Sequence, residues 1–406
     1  MKILMVNYSD IQGGAARAAY RLHRALLDEN IDSQMLVQSK SSDDLTVIGP
    51  KTKIEKIVGK LSPILDSLPV WFYKNRGRAL FSPSWLPFSS IVYRINKIKP
   101  DIVHLHWVAG GMMRIEDLAK IKAPIVWSLH DMWAFTDGYH YDAAFDIQNE
   151  GHLEEPKISI QSKIFKRKAK TYKKLNHLTV IGLSNWLNNC SKHSKLLGDK
   201  PHIYLPNPIN TVTFAPFDKI QARALFNLPA RKKLILFGGA ISDPRKGYKE
   251  LSEALVHVST DYELVVFGSS KLEVPKEFKQ ITHYLGYLHD DVSLRLLYSA
   301  ADVMIVPSLK EAFGQTACES LACGTPVVAF GTTGLLDIVD HQQNGYLAKP
   351  FDTSDLAKGV EWVINTPNYN QLCQNARNKV LRKFDSRVLA SKYIDLYLKV
   401  MRMKHD

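Results

Sequence analysis

The sequence predicts an α/β protein built from two doubly wound parallel sheets. Three observations carry that expectation. Short apolar runs alternate with stretches of helical periodicity from the first residues onward, as in residues 2–7 followed by residues 15–27. At 406 residues the chain is about twice a common domain size, so two cores are expected. The order strand, loop, helix, strand is readable without a template between residues 302 and 330, where the helix ends at Gly324.

Taken in order, residues 2–7 form a first strand whose exit loop opens on a helix of strong formers. Gly13 and Gly14 then lie where a strand meets a helix N-terminus, a place where amides approach a phosphate or a sugar. No Gly-x-Gly-x-x-Gly occurs there, which weakens a nicotinamide or flavin reading; a plain tight turn is the alternative. Residues 32–38 give a second strand. Ile54, Ile57, Val58, Leu61, Ile64, Leu65 and Leu68 follow at helical spacing among Lys51, Lys53, Lys56 and Lys60, with Pro63 expected to interrupt the helix and Trp71-Phe72-Tyr73 beyond it. Packing on the protein's own core is expected of that stripe ahead of contact with a membrane interface.

Residues 100–107 read as a buried strand with His104 and His106 on one face. Two imidazoles suit a metal, but no third ligand is placed and no Asp-x-Asp occurs, so no metal site is assigned and His106 is expected to line a ligand cleft. Residues 123–133 bring His130 and Asp131 to a strand's carboxyl end, where a hydrogen-bonding or acid–base group is useful. From residue 157 to 174 there are eight basic residues and no acid, read as an exposed helix face or a contact with anionic lipid or acceptor. Ser184-Asn185 starts a further helix, and the first domain is expected to span 1–208, ending behind Pro206-Asn-Pro208.

The second domain, 209–385, opens with an apolar strand running into a glycine-rich loop that holds Gly239, Arg245 and Lys246 ahead of a helix. Cations and helix-start amides converge there on a place fit for a diphosphate. Strands at 262–268, 281–286, 302–307 and 325–330 complete the series. Glu311 falls in the loop at a strand's carboxyl end, and Glu319 about two turns into the next helix, so both carboxylates are expected to face one cleft. Phe313-Gly314 lets the backbone approach a phosphate at that helix start. Residues 386–406 hold a final helix.

Hydrophobic content of 45% and charged content of 23% suit a soluble globular protein. No segment approaches the ~20 apolar residues of a membrane span, so a cytoplasmic protein is expected, with possible association at the inner face of a membrane. Cys190, Cys318, Cys323 and Cys373 lack metal-ligand spacing and read as reduced packing residues. A net charge of +13 favours an anionic partner: nucleic acid, acidic lipid or a phosphorylated substrate.

Glu311-x7-Glu319 with Phe-Gly inside, a strand before and Ala-Cys-Gly-Thr-Pro-Val-Val-Ala after it, resembles the donor site of retaining nucleotide-sugar glycosyltransferases of family 4. That family has the GT-B fold, two Rossmann-like domains facing a central cleft, with the last helix crossing back to the first domain. Residues 130–141 resemble a bacterial polysaccharide-biosynthesis subgroup with the motif His-Asp-Met-Trp-x-Phe-Thr, although Tyr139 stands where that subgroup has a cysteine. The resemblance implies transfer of a hexose-type sugar from a UDP- or GDP-linked donor to a hydroxyl of a glycan or lipid-linked glycan. It also implies retention, independence of metal, no cofactor beyond the donor, no nucleic acid partner, and a place in surface polysaccharide synthesis such as lipopolysaccharide or capsule. Carried over residue by residue, it makes His130, Glu311, Arg245 and Lys246 catalytic. It gives Gly13, Gly14, Gly239, Gly268, Leu288, Phe313, Gly314, Gln315, Thr316 and Glu319 to the donor, Glu319 on the ribose. Ala240 occupies the family's usual arginine place, and Arg245 is expected to supply that charge. A glycosidase pair is disfavoured because it needs no cationic loop. A nucleotide-sugar epimerase of the same fold and a non-catalytic sugar-nucleotide-binding protein are the alternatives.

Overall fold

A computed structural model describes residues 1–71, 80–87, 89–141, 159–259, 261–268 and 278–403. Phe72, Tyr73, Lys157 and the cysteine-free stretch 142–155 lie outside the described residues. The chain divides into two compact units, Met1–Pro208 with Leu389–Asp406, and Ile209–Val388.

The first unit holds β1 (Lys2–Ser9), β2 (Asp32–Ser39), β3 (Val47–Ile48), β4 (Ile102–Leu105), β5 (Ile125–Leu129), β6 (Leu178–Gly182) and β7 (His202–Tyr204). They form one parallel sheet in the order β3-β2-β1-β4-β5-β6-β7. β4, β5 and β6 are buried throughout, the signature of strands covered on both faces. The helices are α1 (Gly14–Asp28), α2 (Lys53–Trp71), α3 (Ile91–Ile98), α4 (Ser159–Tyr172) and α5 (Asn185–Lys192), the last capped by Ser184 Oγ, which accepts from the Leu187 amide.

The second unit holds β8 (Leu234–Gly238), β9 (Glu263–Phe267), β10 (Thr282–Tyr284), β11 (Val303–Val306), β12 (Val327–Phe330) and β13 (Gly345–Ala348), all parallel in the order β10-β9-β8-β11-β12-β13. Its helices are α6 (Lys219–Leu225), α7 (Tyr248–Leu255), α8 (Asp291–Ala300), α9 (Gln315–Ala322), α10 (Leu335–Ile338), α11 (Thr353–Asn365) and α12 (Tyr369–Lys383). Ile235, Phe237, Val303 and Ile305 pack with Leu251 of α7 and Leu356 and Val360 of α11. The last helix, α13 (Ser386–Arg402), returns to the first unit: Tyr397 and His104 share a hydrogen bond of 2.7 Å.

In each sheet the strand order reverses once, between β1 and β4 and between β8 and β11. The carboxyl ends of strands at such a switch point leave the crevice in which open α/β sheets bind ligands.

Three local expectations are corrected. Pro63 does not interrupt α2. A proline removes the hydrogen bond to the carbonyl four residues back, here Gly59, and that carbonyl accepts instead from Tyr8 Oη (3.2 Å) and Gln38 Nε2 (3.4 Å). Most of the apolar stripe of α2 is not packed on the core either: Ile54, Ile57, Val58, Leu61, Ile64 and Leu65 are exposed, and Leu68 is half-buried. Finally, the basic run over α4 is not all solvated face. Arg167 forks onto Glu116 (2.6 and 2.8 Å), and Lys168 is buried with its ammonium on the carbonyls of Trp133 and Thr136.

Candidate functional site

In the second unit the switch point is framed by two loops. After β8 the chain passes Gly239 and makes one short turn over Pro244–Lys246, capped by Asp243, whose carboxylate accepts from the Arg245 amide (3.1 Å). Gly247 follows with φ +71°, and a Cβ there would stand 1.8 Å from the Pro307 carbonyl, so only glycine lets this turn lie against the end of β11. The contact is completed by the Leu309 amide donating to the Arg245 carbonyl (2.8 Å). This seating carries Lys246 across the switch point, its stem beside Gly239, until Nζ lies 2.6 Å from Glu311 Oε1. Sequence reasoning placed these two residues separately, Lys246 at a diphosphate site and Glu311 in a cleft; the fold makes them an ion pair.

Glu311 is held from three sides. Ser308 Oγ lies 3.0 Å from the same carboxylate oxygen, the Glu311 amide donates to Thr333 Oγ1 (3.0 Å), and its carbonyl accepts from the Gly334 amide (3.0 Å). Ser308 and Thr333 were not picked out from the sequence, since each becomes meaningful only when two loops meet. Gly314, at φ +102°, then starts α9, whose first-turn amides, from Gln315 and Thr316 on, have no acceptor within the helix. Positive helix end, lysine and carboxylate thus share one strand edge.

The remaining expectations divide. Gly268 abuts Gly239, and its amide donates to Gly286 (2.8 Å), so glycines line the ends of β8, β9 and β10, with Leu288 half-buried beyond them. Phe313 is buried edge-on against Phe384, so it offers a ligand its backbone alone. Glu319 is only 2% exposed, with Oε2 2.7 Å from Tyr298 Oη, so the two glutamates do not open onto a shared face as expected. Arg245 is paired with Asp243 at 2.5 Å, which meets its charge within the loop; it does not stand ready as the missing arginine.

In the first unit the loop after β1 carries Gly13 and Gly14 at the start of α1, and an added Cβ at either would meet nothing within 4 Å. Asp10, missed from the sequence, braces this loop: its buried carboxylate accepts from the amides of Ile11, Ser41 and Ser42. Across the switch point, His130 at the end of β5 meets His106 at the end of β4, Nε2 to Nδ1 at 2.9 Å. His106 is itself buried, lining a small hollow with Trp107, His130 and Asp131, and its Nε2 has no hydrogen-bond partner among the described residues. Burial pushes the His130 ring down to about 4 and His106 well below its ordinary range, so both are neutral at pH 7. The single proton in their shared bond fixes whether His130 Nδ1 presents an N–H or a lone pair.

His130 and Asp131 are not a dyad. Asp131 turns inward, accepting from His140 Nδ1 (2.6 Å), Trp107 Nε1 (2.9 Å) and the Trp133 amide (2.9 Å). Burial alone would raise its pKa; those partners, His140 foremost, outweigh it and hold the carboxyl below the usual range. His104 has both nitrogens engaged, by Tyr397 and Ser128. Among the described residues no group of three His, Cys, Asp or Glu is placed to hold a metal. None of the described helices is long and apolar enough to cross a membrane.

Comparison with known proteins fits this layout. Residues 12–179 match the family described as Glycosyltransferase Family 4, and residues 218–379 match Glycosyl transferases group 1. Each match covers about two fifths of the chain, and together they make it similar to family 4 type glycosyltransferases in both units. An uncharacterized glycosyltransferase of Methanocaldococcus jannaschii is 30% identical over 195 residues, 46% of this chain and 50% of that one. The chain spans half or less of the length of the curated relatives it matches. Two solved structures share the fold nearly end to end. Sucrose-phosphate synthase from Thermosynechococcus elongatus has a TM-score of 0.69 at 18% identity, covering 99% of both chains. Anabaena HepE in complex with UDP-glucose has 0.69 at 15%, covering 98% of this chain and 100% of that one. The two parallel-sheet units, with these neighbours, have the GT-B fold.

Proposed function

We propose that this protein transfers a hexose-type sugar from a UDP- or GDP-linked donor to a hydroxyl of a glycan or lipid-linked glycan, with retention and without metal. The observation that carries the reading is the Lys246–Glu311 pair at the β8/β11 switch point, beside the start of α9. A departing nucleoside diphosphate develops negative charge, and Lys246 with the α9 amides places positive charge at one strand edge to receive it. Glu311, fixed by Ser308 and by its backbone, accepts hydrogen bonds from sugar hydroxyls while keeping Lys246 oriented. Neutral His130 is assigned a hydrogen bond to a reacting sugar hydroxyl. HepE was solved with UDP-glucose, and its fold over the whole chain supports a nucleotide sugar as donor. Surface polysaccharide synthesis is the setting we infer.

The test is calorimetric titration of the purified chain with UDP, GDP and their glucose and mannose conjugates, followed by product analysis with a sugar acceptor. Binding of one nucleotide class, with sugar moved onto acceptor, supports the reading. Interconversion of donor epimers without acceptor would instead make it an epimerase, and binding without turnover a binding protein.

A further inference from the structure

Among the described residues the backbone turns left-handed at seven positions that are not glycine, and Thr333, at φ +52°, is the β-branched one of them. A side chain branched at Cβ avoids that region more strongly than most, and holds it only where the surroundings over-determine it. Thr333 is buried in the turn between β12 and α10, where glycine stands at 331 and 334. A glycine at 333 would lie there without strain, but it would offer no side-chain acceptor. The threonine hydroxyl is in use: its Oγ1 accepts from the Glu311 amide at 3.0 Å.

The next amide along the turn, that of Gly334, donates to the Glu311 carbonyl (3.0 Å). Two consecutive residues thus hold both backbone groups of Glu311. Gly334 lets them come close, since a Cβ there would stand 2.8 Å from the Glu311 carbonyl oxygen and 2.9 Å from that of Ala312. The turn is anchored at both ends. The Gly331 amide donates to the Ala348 carbonyl at the end of β13 (2.7 Å), and the Leu336 amide donates to the Thr333 carbonyl as α10 begins (3.4 Å). α10 in turn reaches the start of α9: a Cβ on Gly314 would stand 2.9 Å from Leu335 Cδ2 and 3.1 Å from Ile338 Cδ1. One short stretch, 331–338, therefore meets both Glu311 and the helix end proposed to receive the diphosphate. Ser308 and Lys246 orient the carboxylate, while this turn sets the backbone from which it projects.

We propose that Thr333 is a positioning residue for sugar transfer, its strained backbone retained so that its hydroxyl fixes Glu311 against the start of α9. The proposal rests on the donor-site reading and deepens it. Thr333 acts through Glu311, so its loss slows turnover and leaves the nucleotide bound: a displacement of about 1 Å in a reacting geometry costs up to about 10²-fold.

Three substitutions in the full chain separate the acceptor from the strain. Thr333→Val keeps size and β-branching and removes the acceptor, Thr333→Ser keeps the acceptor, and Thr333→Gly removes acceptor and strain together. Each is compared with the wild type for release of nucleoside diphosphate from UDP- and GDP-sugars, nucleotide affinity, thermal unfolding, and hydrogen exchange over residues 309–314. In Thr333→Val, kcat should fall about 10- to 100-fold at saturating donor, with the nucleotide dissociation constant within about threefold and faster exchange at the Glu311 amide. Thr333→Ser should keep the rate within about threefold of the wild type. Thr333→Gly should unfold at a higher temperature than Thr333→Val yet turn over no faster, so that rate does not follow stability. Undiminished release in Thr333→Val, Thr333→Ser as slow as Thr333→Val, or rates that track stability across the series would overturn the proposal and leave the donor reading standing. No release by the wild type from any donor would instead remove the donor reading, and this role with it. Should Thr333→Val fail to fold, Thr333→Gly set against Thr333→Ser decides.

Discussion

Lys246→Ala separates a donor site from a structural strut. Lys246 Nζ lies 2.6 Å from Glu311 Oε1, with the two side chains 29% and 12% exposed. At an effective dielectric of ~20 the gross attraction at that distance is ~6 kcal/mol, most of it offset by desolvation and side-chain ordering. Removing the lysine leaves Glu311 largely buried without its cation, so the second unit should lose ~1–3 kcal/mol of stability. If Lys246 also receives the diphosphate, the variant loses a charge-stabilising donor as well, about 10²-fold in transfer, or ~2.7 kcal/mol. Arg245 does not fill in, because its guanidinium is held by Asp243. The two effects separate in a cycle with Glu311→Gln, read by thermal unfolding and by titration with UDP and GDP. The double variant should regain part of the lost stability, since no lone carboxylate remains, yet stay impaired in nucleotide binding. Unchanged nucleotide affinity in Lys246→Ala, alongside lower stability, would refute the reasoning and leave the pair a strut.

Other outcomes follow from the first unit and from the chemistry. Burial lowers His23 to about 4 and His104 to about 3 in the folded chain, so the unfolded state binds their protons first as pH falls below ~6.5. The first unit should therefore be most stable above that pH and lose ~2 kcal/mol per histidine by about pH 5, read by tryptophan fluorescence, since all tryptophans but Trp362 lie in it; a flat profile counts against these histidines. His106→Asn removes the partner that fixes the His130 tautomer, and should lower the rate and shift its pH profile while nucleotide affinity stays within about threefold. Asp131→Asn weakens the hold on His140 and should cost ~1–3 kcal/mol of stability, with little effect on nucleotide binding to the second unit. Full transfer activity in excess chelator is expected; loss restored by magnesium or manganese would reject metal independence.

The sheets were legible because buried parallel strands read as apolar runs, as Val303–Val306 and Leu234–Gly238 do. β13 was not, because Gly345–Ala348 is short and its Tyr346 and Leu347 are only half-buried. Glu311 and Lys246 were visible one at a time; their pairing spans 65 residues and depends on the parallel β8–β11 register and on Gly247 seating a loop on Pro307. Glu319 was placed correctly on its helix, but the helical repeat does not say that Tyr298 of α8 covers it. The stripe on α2 showed its spacing and not its direction, which is set by Asp66 and by the Tyr8 and Gln38 bonds to Gly59. Tyr397 fell within the expected final helix, but helical periodicity does not say that its hydroxyl meets His104, 293 residues away.

The central claim is that sugar leaves a nucleotide diphosphate at Glu311 and Lys246. The most direct measurement is release of nucleoside diphosphate from a panel of UDP- and GDP-sugars, comparing the wild type with Glu311→Gln at saturating donor. The account predicts release from at least one donor, slowed about 10²-fold or more in the variant, with the dissociation constant changed only a few-fold. Full turnover in Glu311→Gln once donor saturates, or nucleotide binding abolished by that substitution, would contradict it.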